Sequence, residues 1–362
     1  MQQSPVESGQ VWDDFCDRLK RAGQQVLRPE APADALDRAE GYRYLTRLLR
    51  IALEMHVESA DRDFPVFYKP SHETAKIGAD NPDNLYWRAE LNGEHDYRIT
   101  GTRGTVDYLG FGTQAGGYEK DGRNEPTGYL DSRQLQVDAE GRFEIILSAT
   151  KKPGNWLPMT PNTRTVIVRQ TFLDRATEIP GSMTIERLDA GSVPKPLNPD
   201  ALAQGLASAA GFVEGTARLF ADWAQSYQAH PNQLPPADQA LCQAVGGDPN
   251  IFYYHGYFDL ADDEALVIEV ARIPECQTWN LQVNNYWMES LDYRYQRIHV
   301  NKHNAVANAD GSVRIVLAHT DPGVPNWLTT AGHHKGTLCF RWVGATEHVH
   351  PQVRVVKAGD LA

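Results

Sequence analysis

Gly141-Arg-Phe-Glu-Ile-Ile-Leu-Ser148, then Asn155-Trp156-Leu157, then Thr165-Val-Ile-Val-Arg169: this order of segments occurs twice in the chain. The second version reads Gly311-Ser-Val-Arg-Ile-Val-Leu-Ala318, Asn326-Trp327-Leu328 and Thr337-Leu-Cys-Phe-Arg341. The Gly-to-Asn and Asn-to-Arg spacings differ by one residue between the two versions. Each reads as a β-prone run, a turn carrying Asn-Trp-Leu, and a second strand that ends in Arg. Such self-similarity marks an internal duplication.

The flanks complete the outline. Phe15, Leu19, Ala22 and Val26 recur at helical spacing and predict a helix over 12–28, closed by Pro29 and Pro32. Tyr42, Leu45, Leu48, Leu49, Ala52 and Met55 predict a longer one over 33–59, with an apolar stripe wide enough to dock on a sheet. Leu202 to Trp223 mark a helix over 201–229, and a short one follows over 238–244. Between and beyond lie short β-prone runs separated by Gly, Asn and Pro. The expected fold is therefore α+β, with duplicated antiparallel β-sandwich-like blocks and N-terminal and central helices packed on them. The expected divisions are a helical segment at 1–62, a first β-rich repeat at 63–190, a helical linker at 191–248, and a second β-rich repeat at 249–362.

Bulk properties exclude several function classes. The chain has 362 residues, 41% of them hydrophobic, so a sizeable core is available. Its formal net charge of −12 and lack of a basic run argue against nucleic acid as a partner. No apolar run is long enough for a membrane span, and the polar N-terminus lacks a secretory h-region. Cys16, Cys242, Cys276 and Cys339 are too scattered for a disulfide scaffold or a zinc ribbon. These features suit the cytoplasm; oligomeric state is left open. Gly110-Phe-Gly-Thr-Gln-Ala-Gly-Gly117 is glycine-rich, but no helix pattern follows it, so no nucleotide cofactor is expected.

The repeated motif resembles the family called domain of unknown function 1214. Asp310 to Leu317, Asp321-Pro-Gly323 and Asn326-Trp327-Leu328 carry the fuller resemblance, in the C-terminal third. Gly154-Asn-Trp-Leu-Pro158 with Val166 to Arg169 is a weaker second instance. The first copy departs in its Tyr118–Tyr129 insertion, and the second has Thr329 where the family favours Pro. The resemblance implies a β-rich fold and assigns no activity.

Candidate functional residues come from the motif itself. A tryptophan in an inter-strand turn buries a large ring with one donor to satisfy, and the preceding Asn can hold the turn through its own amide. Trp327 and Asn326 could instead wall a pocket shared between the two copies. In the last strand of the second copy, Leu338, Phe340 and Trp342 share one face, which places Arg341 on the other; Arg169 is its counterpart. A buried Arg needs a partner, either a carboxylate of the chain or an anionic ligand. His319 and Asp321 stand where a strand opens into a turn and could perform acid–base work; the first copy has Thr150 at the place of His319. Tyr286 opens an aromatic and acidic stretch suited to a sugar or another small ligand. His348 and His350 would point the same way in a strand, but no third ligand accompanies them, so no metal is expected. The resulting expectation is an enzyme of hydrolase or lyase type. His319 and Asp321 would be catalytic, and Arg341, Trp327, Asn326 and Tyr286 would bind a small, anionic or polyhydroxylated molecule without a cofactor. The alternative is a non-catalytic small-molecule or carbohydrate binder.

Overall fold

A long central helix separates two sets of strands that are wired alike. The computed structural model describes residues 4–120, 122–191 and 193–361. The first set is β1 (Asn84–Glu90), β2 (Tyr97–Thr102), β3 (Tyr108–Gly117), β4 (Arg123–Asp131), β5 (Arg142–Ser148), β6 (Trp156–Pro158), β7 (Thr163–Thr171) and β8 (Ser182–Arg187). The second is β9 (Ile251–Asp259), β10 (Glu264–Val270), β11 (Thr278–Asn284), β12 (His299–Asn301), β13 (Val313–Ala318), β14 (Trp327–Thr329), β15 (Lys335–Val343) and β16 (Gln352–Lys357). The first set forms sheets of order β1-β7-β3-β4 and β6-β5-β2-β8. The second forms β9-β15-β11-β12 and β14-β13-β10-β16, which is the same wiring. The fold is therefore α+β, built from two duplicated blocks of paired sheets.

Each block closes on its own core. Ile99, Phe111, Ile145, Leu147, Val166 and Val168 fill the first, and Leu266, Ile268, Leu281, Ile315, Phe340 and Trp342 fill the second. The Asn-Trp-Leu motif occupies equivalent places in both. Trp156 and Trp327 begin β6 and β14, which pair in parallel with β5 and β13. Their indole N–H groups donate to the carbonyls of Ser148 (3.3 Å) and Ala318 (3.2 Å). Asn155 and Asn326 each bind the backbone of the preceding loop and strand: Gln136 and Glu144 in one case, Val306 and Arg314 in the other.

Helices cover the faces that the cores leave bare. α1 (Gln10–Gly23) continues as a short 3-10 turn, and α2 (Ala35–Leu53) is capped by Asp34. α3 (Pro199–Tyr227) is capped by Asn198 with Pro199 at its first turn, and α4 (Gln239–Ala244) is capped by Asp238. The small residues Gly205, Ala209, Ala210, Ala217 and Ala221 let α3 approach its neighbours closely. A Cβ at Gly205 would lie 2.4 Å from the His56 carbonyl oxygen. These helices share a third core with Ile251, Tyr253 and Cys339 of the second block.

Two local differences from the sequence reading have physical causes. The Tyr118–Tyr129 insertion is largely β4, an edge strand whose Pro126 sits at a register shift, where no ladder donor is needed. The glycine-rich Gly110–Gly117 run is part of β3. Gly110 admits the Tyr108 hydroxyl, which would lie 2.8 Å from a Cβ there.

Candidate functional site

Arg169 and Arg341 face away from the two sandwich cores. Val166 and Val168 of β7 enter the first core, so Ile167 and Arg169 take the opposite face. Leu338, Phe340 and Trp342 of β15 enter the second, so Cys339 and Arg341 take the opposite face. The two outer faces meet beneath Phe212, Phe220 and Trp223 of α3 and enclose a cavity of about 150 Å3. Both arginines line it, and both are buried.

The cavity is pseudo-symmetric residue by residue. Tyr86 of β1 pairs with Arg169, and Tyr253 of β9 pairs with Arg341. Two residues further on come Arg88 and His255, and all six side chains line the cavity. The turns before β1 and β9, Asn81-Pro82-Asp83 and Asp248-Pro249-Asn250, also correspond. The Asn81 amide N–H donates to the Tyr86 hydroxyl (3.0 Å), and that of Asp248 donates to the Tyr253 hydroxyl (3.1 Å). The arginine contacts cross between blocks. Arg169 donates to the carbonyl of Gly246, at 2.6 Å, in the turn of the second block. Arg341 donates to the carbonyl of Ala79 in the turn of the first. Gly246 and Ala79 both have positive φ, 101° and 57°. The alanine is strained there, a condition that concentrates at functional sites.

Charge breaks the symmetry. Asp248 is fully buried, and its carboxylate lies 3.9 Å from Arg169 while accepting from the Tyr108 hydroxyl at 2.9 Å. The corresponding residue on the other side is Asn81, which is neutral. Arg341 donates only to neutral acceptors: the Gln282 side-chain oxygen at 2.5 Å, that of Asn280 at 3.4 Å, and Ala79. Among the described residues no carboxylate comes within ion-pair distance of it. Asp80 also lines the cavity, but its two oxygens accept from the amide (3.0 Å) and hydroxyl (2.8 Å) of Ser290. Arg88 is paired with Glu90 at 3.1 Å.

The remaining polar groups of the cavity stay neutral. Burial pushes the His255 imidazole down to about 3, with Arg341 adding to the shift. Burial pushes the Cys242 thiol up to about 12 and raises the phenols of Tyr86 and Tyr253. At neutral pH these groups offer hydrogen bonds rather than charge or a mobile proton.

Residues 259–347 match the family described as a protein of unknown function, DUF1214. A crystal structure of an uncharacterised protein from Burkholderia cenocepacia is 62% identical, covers 99% of both chains, and superposes with a TM-score of 0.98. The DUF1214 match lies in the C-terminal third of the chain. A protein of Vibrio parahaemolyticus, 13% identical over 88% of this chain and 98% of its own, shares the fold with a TM-score of 0.50. No curated protein matches the chain.

Of the candidate residues named from sequence, Arg341 and its counterpart Arg169 line the cavity and the others lie elsewhere. His319 follows β13, with its Nδ1 2.8 Å from the Thr330 hydroxyl and its Nε2 buried without a partner. Asp321 is exposed and accepts from the Gly323 amide at 2.8 Å. Asn326 is buried as the brace of its turn, and Trp327 is half-buried beside it. Tyr286 is buried edge-on to Trp287, at 5.0 Å, in the helical core. His348 stacks on Phe252, and His350 lies 3.1 Å from the Tyr254 hydroxyl. Among the described residues no cluster of three His, Cys, Asp or Glu side chains could hold a metal ion. No described helix is long and apolar enough to cross a membrane.

Tyr86, Arg88, Tyr253 and His255 escaped the sequence reading, and so did the Asn81/Asp248 pair. The signal was present. Asn81-Pro-Asp-Asn-Leu-Tyr86 and Asp248-Pro-Asn-Ile-Phe-Tyr253 are the same motif in two copies. Read singly, each is only a turn.

Proposed function

We propose that this protein binds a small organic monoanion in the cavity between its two blocks, with the anionic group on Arg341. The observation that carries the reading is the contrast between equivalent arginines. Arg169 has a carboxylate of the chain beside it, Asp248; Arg341 has Asn81 at the corresponding place. A buried guanidinium without a counter-ion is costly, and a ligand carboxylate would supply one with bidentate geometry. The aromatic roof suits an apolar body. A volume of about 150 Å3 suits a single ring, since an apolar cavity of about that size accepts benzene. Binding, rather than acid–base catalysis, is favoured because the imidazole, thiol and phenols of the cavity stay neutral at pH 7. The four cysteines are all unpaired, which fits a reducing cytoplasmic setting.

Thermal shift and calorimetric titration with benzoate and phenylacetate, against benzamide and phenylacetamide, test the reading. The carboxylates should stabilise the protein and the amides should not. Arg341→Met should abolish the response while circular dichroism stays unchanged. Equal response to acid and amide, or full binding by the Arg341→Met variant, would overturn it.

A further inference from the structure

Each end of the cavity joins one arginine and one tyrosine to a turn, and each tyrosine keeps an uncommitted proton. The Tyr86 hydroxyl oxygen accepts the Asn81 amide N–H at 3.0 Å, and that of Tyr253 accepts the Asp248 amide N–H at 3.1 Å. Among the described residues neither hydroxyl has an acceptor for its own O–H. A phenol donates as well as accepts, so each has a donor to spare. Burial raises both phenols, so both keep that proton at neutral pH. The arginines reach the same two turns. Arg341 donates to the carbonyl of Ala79, two residues before Asn81, and Arg169 to that of Gly246, two residues before Asp248. Asn280 ties the first end further. Its amide donates to the Asn81 side chain at 2.6 Å, and its oxygen lies 3.4 Å from Arg341. Tyr86 and Arg341 therefore converge on one turn, and Tyr253 and Arg169 on the other.

The two ends differ in what these donors meet. At the second, the Asp248 carboxylate lies 3.9 Å from Arg169. At the first, Asn81 stands in its place, and among the described residues no carboxylate lies within ion-pair distance of Arg341. Tyr86 is also the more open of the two phenols, half-buried where Tyr253 is buried, and it lines the cavity. We infer that Tyr86 is a specificity-determining residue that donates its O–H to the anionic group of the ligand beside Arg341. This rests on the anion reading above and adds a second, neutral donor to it. A guanidinium and a phenol approaching from different strands suit a carboxylate, whose two oxygens offer separate lone pairs. A hydrogen bond from a neutral donor to a charged acceptor is stronger than one between neutral groups, so its loss should be readable in affinity.

Tyr86→Phe and Tyr253→Phe form the test pair. Each removes one hydroxyl, keeps the ring, and frees one turn amide, so the structural losses match. Phenylalanine at 253 also keeps the ring that lies 5.9 Å from the Arg341 guanidinium. The quantity read is the ratio of their benzoate affinities, by calorimetric titration of the full chain at pH 7, with circular dichroism on both. Tyr86→Phe should bind benzoate about tenfold or more weakly than Tyr253→Phe does, the usual worth of a hydrogen bond to a charged group. A ratio near one, or a weaker Tyr253→Phe, overturns the assignment of Tyr86 and leaves the anion reading standing if the native protein binds benzoate. Failure of the native protein to bind benzoate overturns both.

Discussion

If Arg341 awaits a ligand while Arg169 is already neutralised, removing Arg169 should cost mainly stability and removing Arg341 mainly binding. In Arg169→Met the Asp248 carboxylate stays fully buried with no cation beside it. At 3.9 Å and an effective dielectric constant of about 20, the lost attraction is about 4 kcal/mol, and stranded buried charges typically cost about 3–5 kcal/mol. In Arg341→Met no carboxylate loses an ion-pair contact, and only the more distant attraction of Asp80 is lost. The variant loses hydrogen bonds to the Ala79 carbonyl and to the side-chain oxygens of Gln282 and Asn280. Those acceptors are neutral and border a cavity that can take water, and the variant also loses the penalty of burying a guanidinium that no carboxylate contacts. The expected cost is about 1–2 kcal/mol.

The assay is urea denaturation of both variants at pH 7, with benzoate titration on the folded proteins. Arg169→Met should be at least about 2 kcal/mol less stable than Arg341→Met. Only Arg341→Met should be indifferent to benzoate while remaining well folded. If Arg341→Met proves as destabilising as Arg169→Met, Arg341 has a structural counter-ion, and the argument from Asn81 fails.

Other consequences follow from named groups. Asn81→Asp installs on the Arg341 side the carboxylate that Asp248 supplies to Arg169, and should weaken benzoate binding by about a hundredfold in competition for one guanidinium; unchanged affinity would refute the equivalence. His56 and His255 are held neutral by burial, at about 4 and about 3 against an ordinary 6.5. Their folded values lie below the unfolded one, so the unfolded chain binds more protons as pH falls through 6.5, and stability declines toward pH 4 by about 1.4 kcal/mol per pH unit per histidine. His255→Phe should flatten that decline in denaturation curves taken from pH 7 to pH 4, and an unaltered slope would count against the buried neutral state. Asn326→Ala removes the brace to Val306 and Arg314 and leaves alanine at a φ of 54°, so it should cost about 3 kcal/mol or more. Benzoate binding should survive it, as it should survive His319→Ala; loss of binding in either would move the site to that turn.

The duplication was legible in the sequence because its markers work locally. Asn-Trp-Leu needs the same turn in each copy, and the alternation in Leu338-Cys-Phe-Arg341 fixes which face the arginine takes. The helices were legible for the same reason, since their stripes at Phe15 to Val26 and Tyr42 to Met55 are self-contained. The cavity was not, because it is made by contacts between blocks. Nothing local in Gly246 says that its carbonyl meets Arg169, and nothing local in Ala79 says that its carbonyl meets Arg341. The Asn-Pro-Asp and Asp-Pro-Asn turns showed only turn chemistry. His319 and Asp321 attracted notice because they mark a difference between copies. The differences that shape the cavity, Asn81 for Asp248 and His255 for Arg88, are silent until the copies are aligned from the turn onward.

That crossed pattern has a further consequence for what the cavity can hold. Arg169 reaching the turn of the second block, and Arg341 reaching the turn of the first, is the contact rule of an isologous two-fold interface. In a dimer of identical chains every residue at such an interface appears twice, so a counter-ion beside one arginine is beside both. A site on the axis would then be either fully neutralised or doubly charged. Joining the copies in one chain removes that constraint. Asp248 can neutralise one arginine while Asn81 leaves the other open, and His255 can stand where its counterpart is the Arg88–Glu90 pair. The cavity thereby acquires a direction, with one anion-seeking end under an aromatic roof. The proposed ligand, an oriented monoanion, follows from that asymmetry.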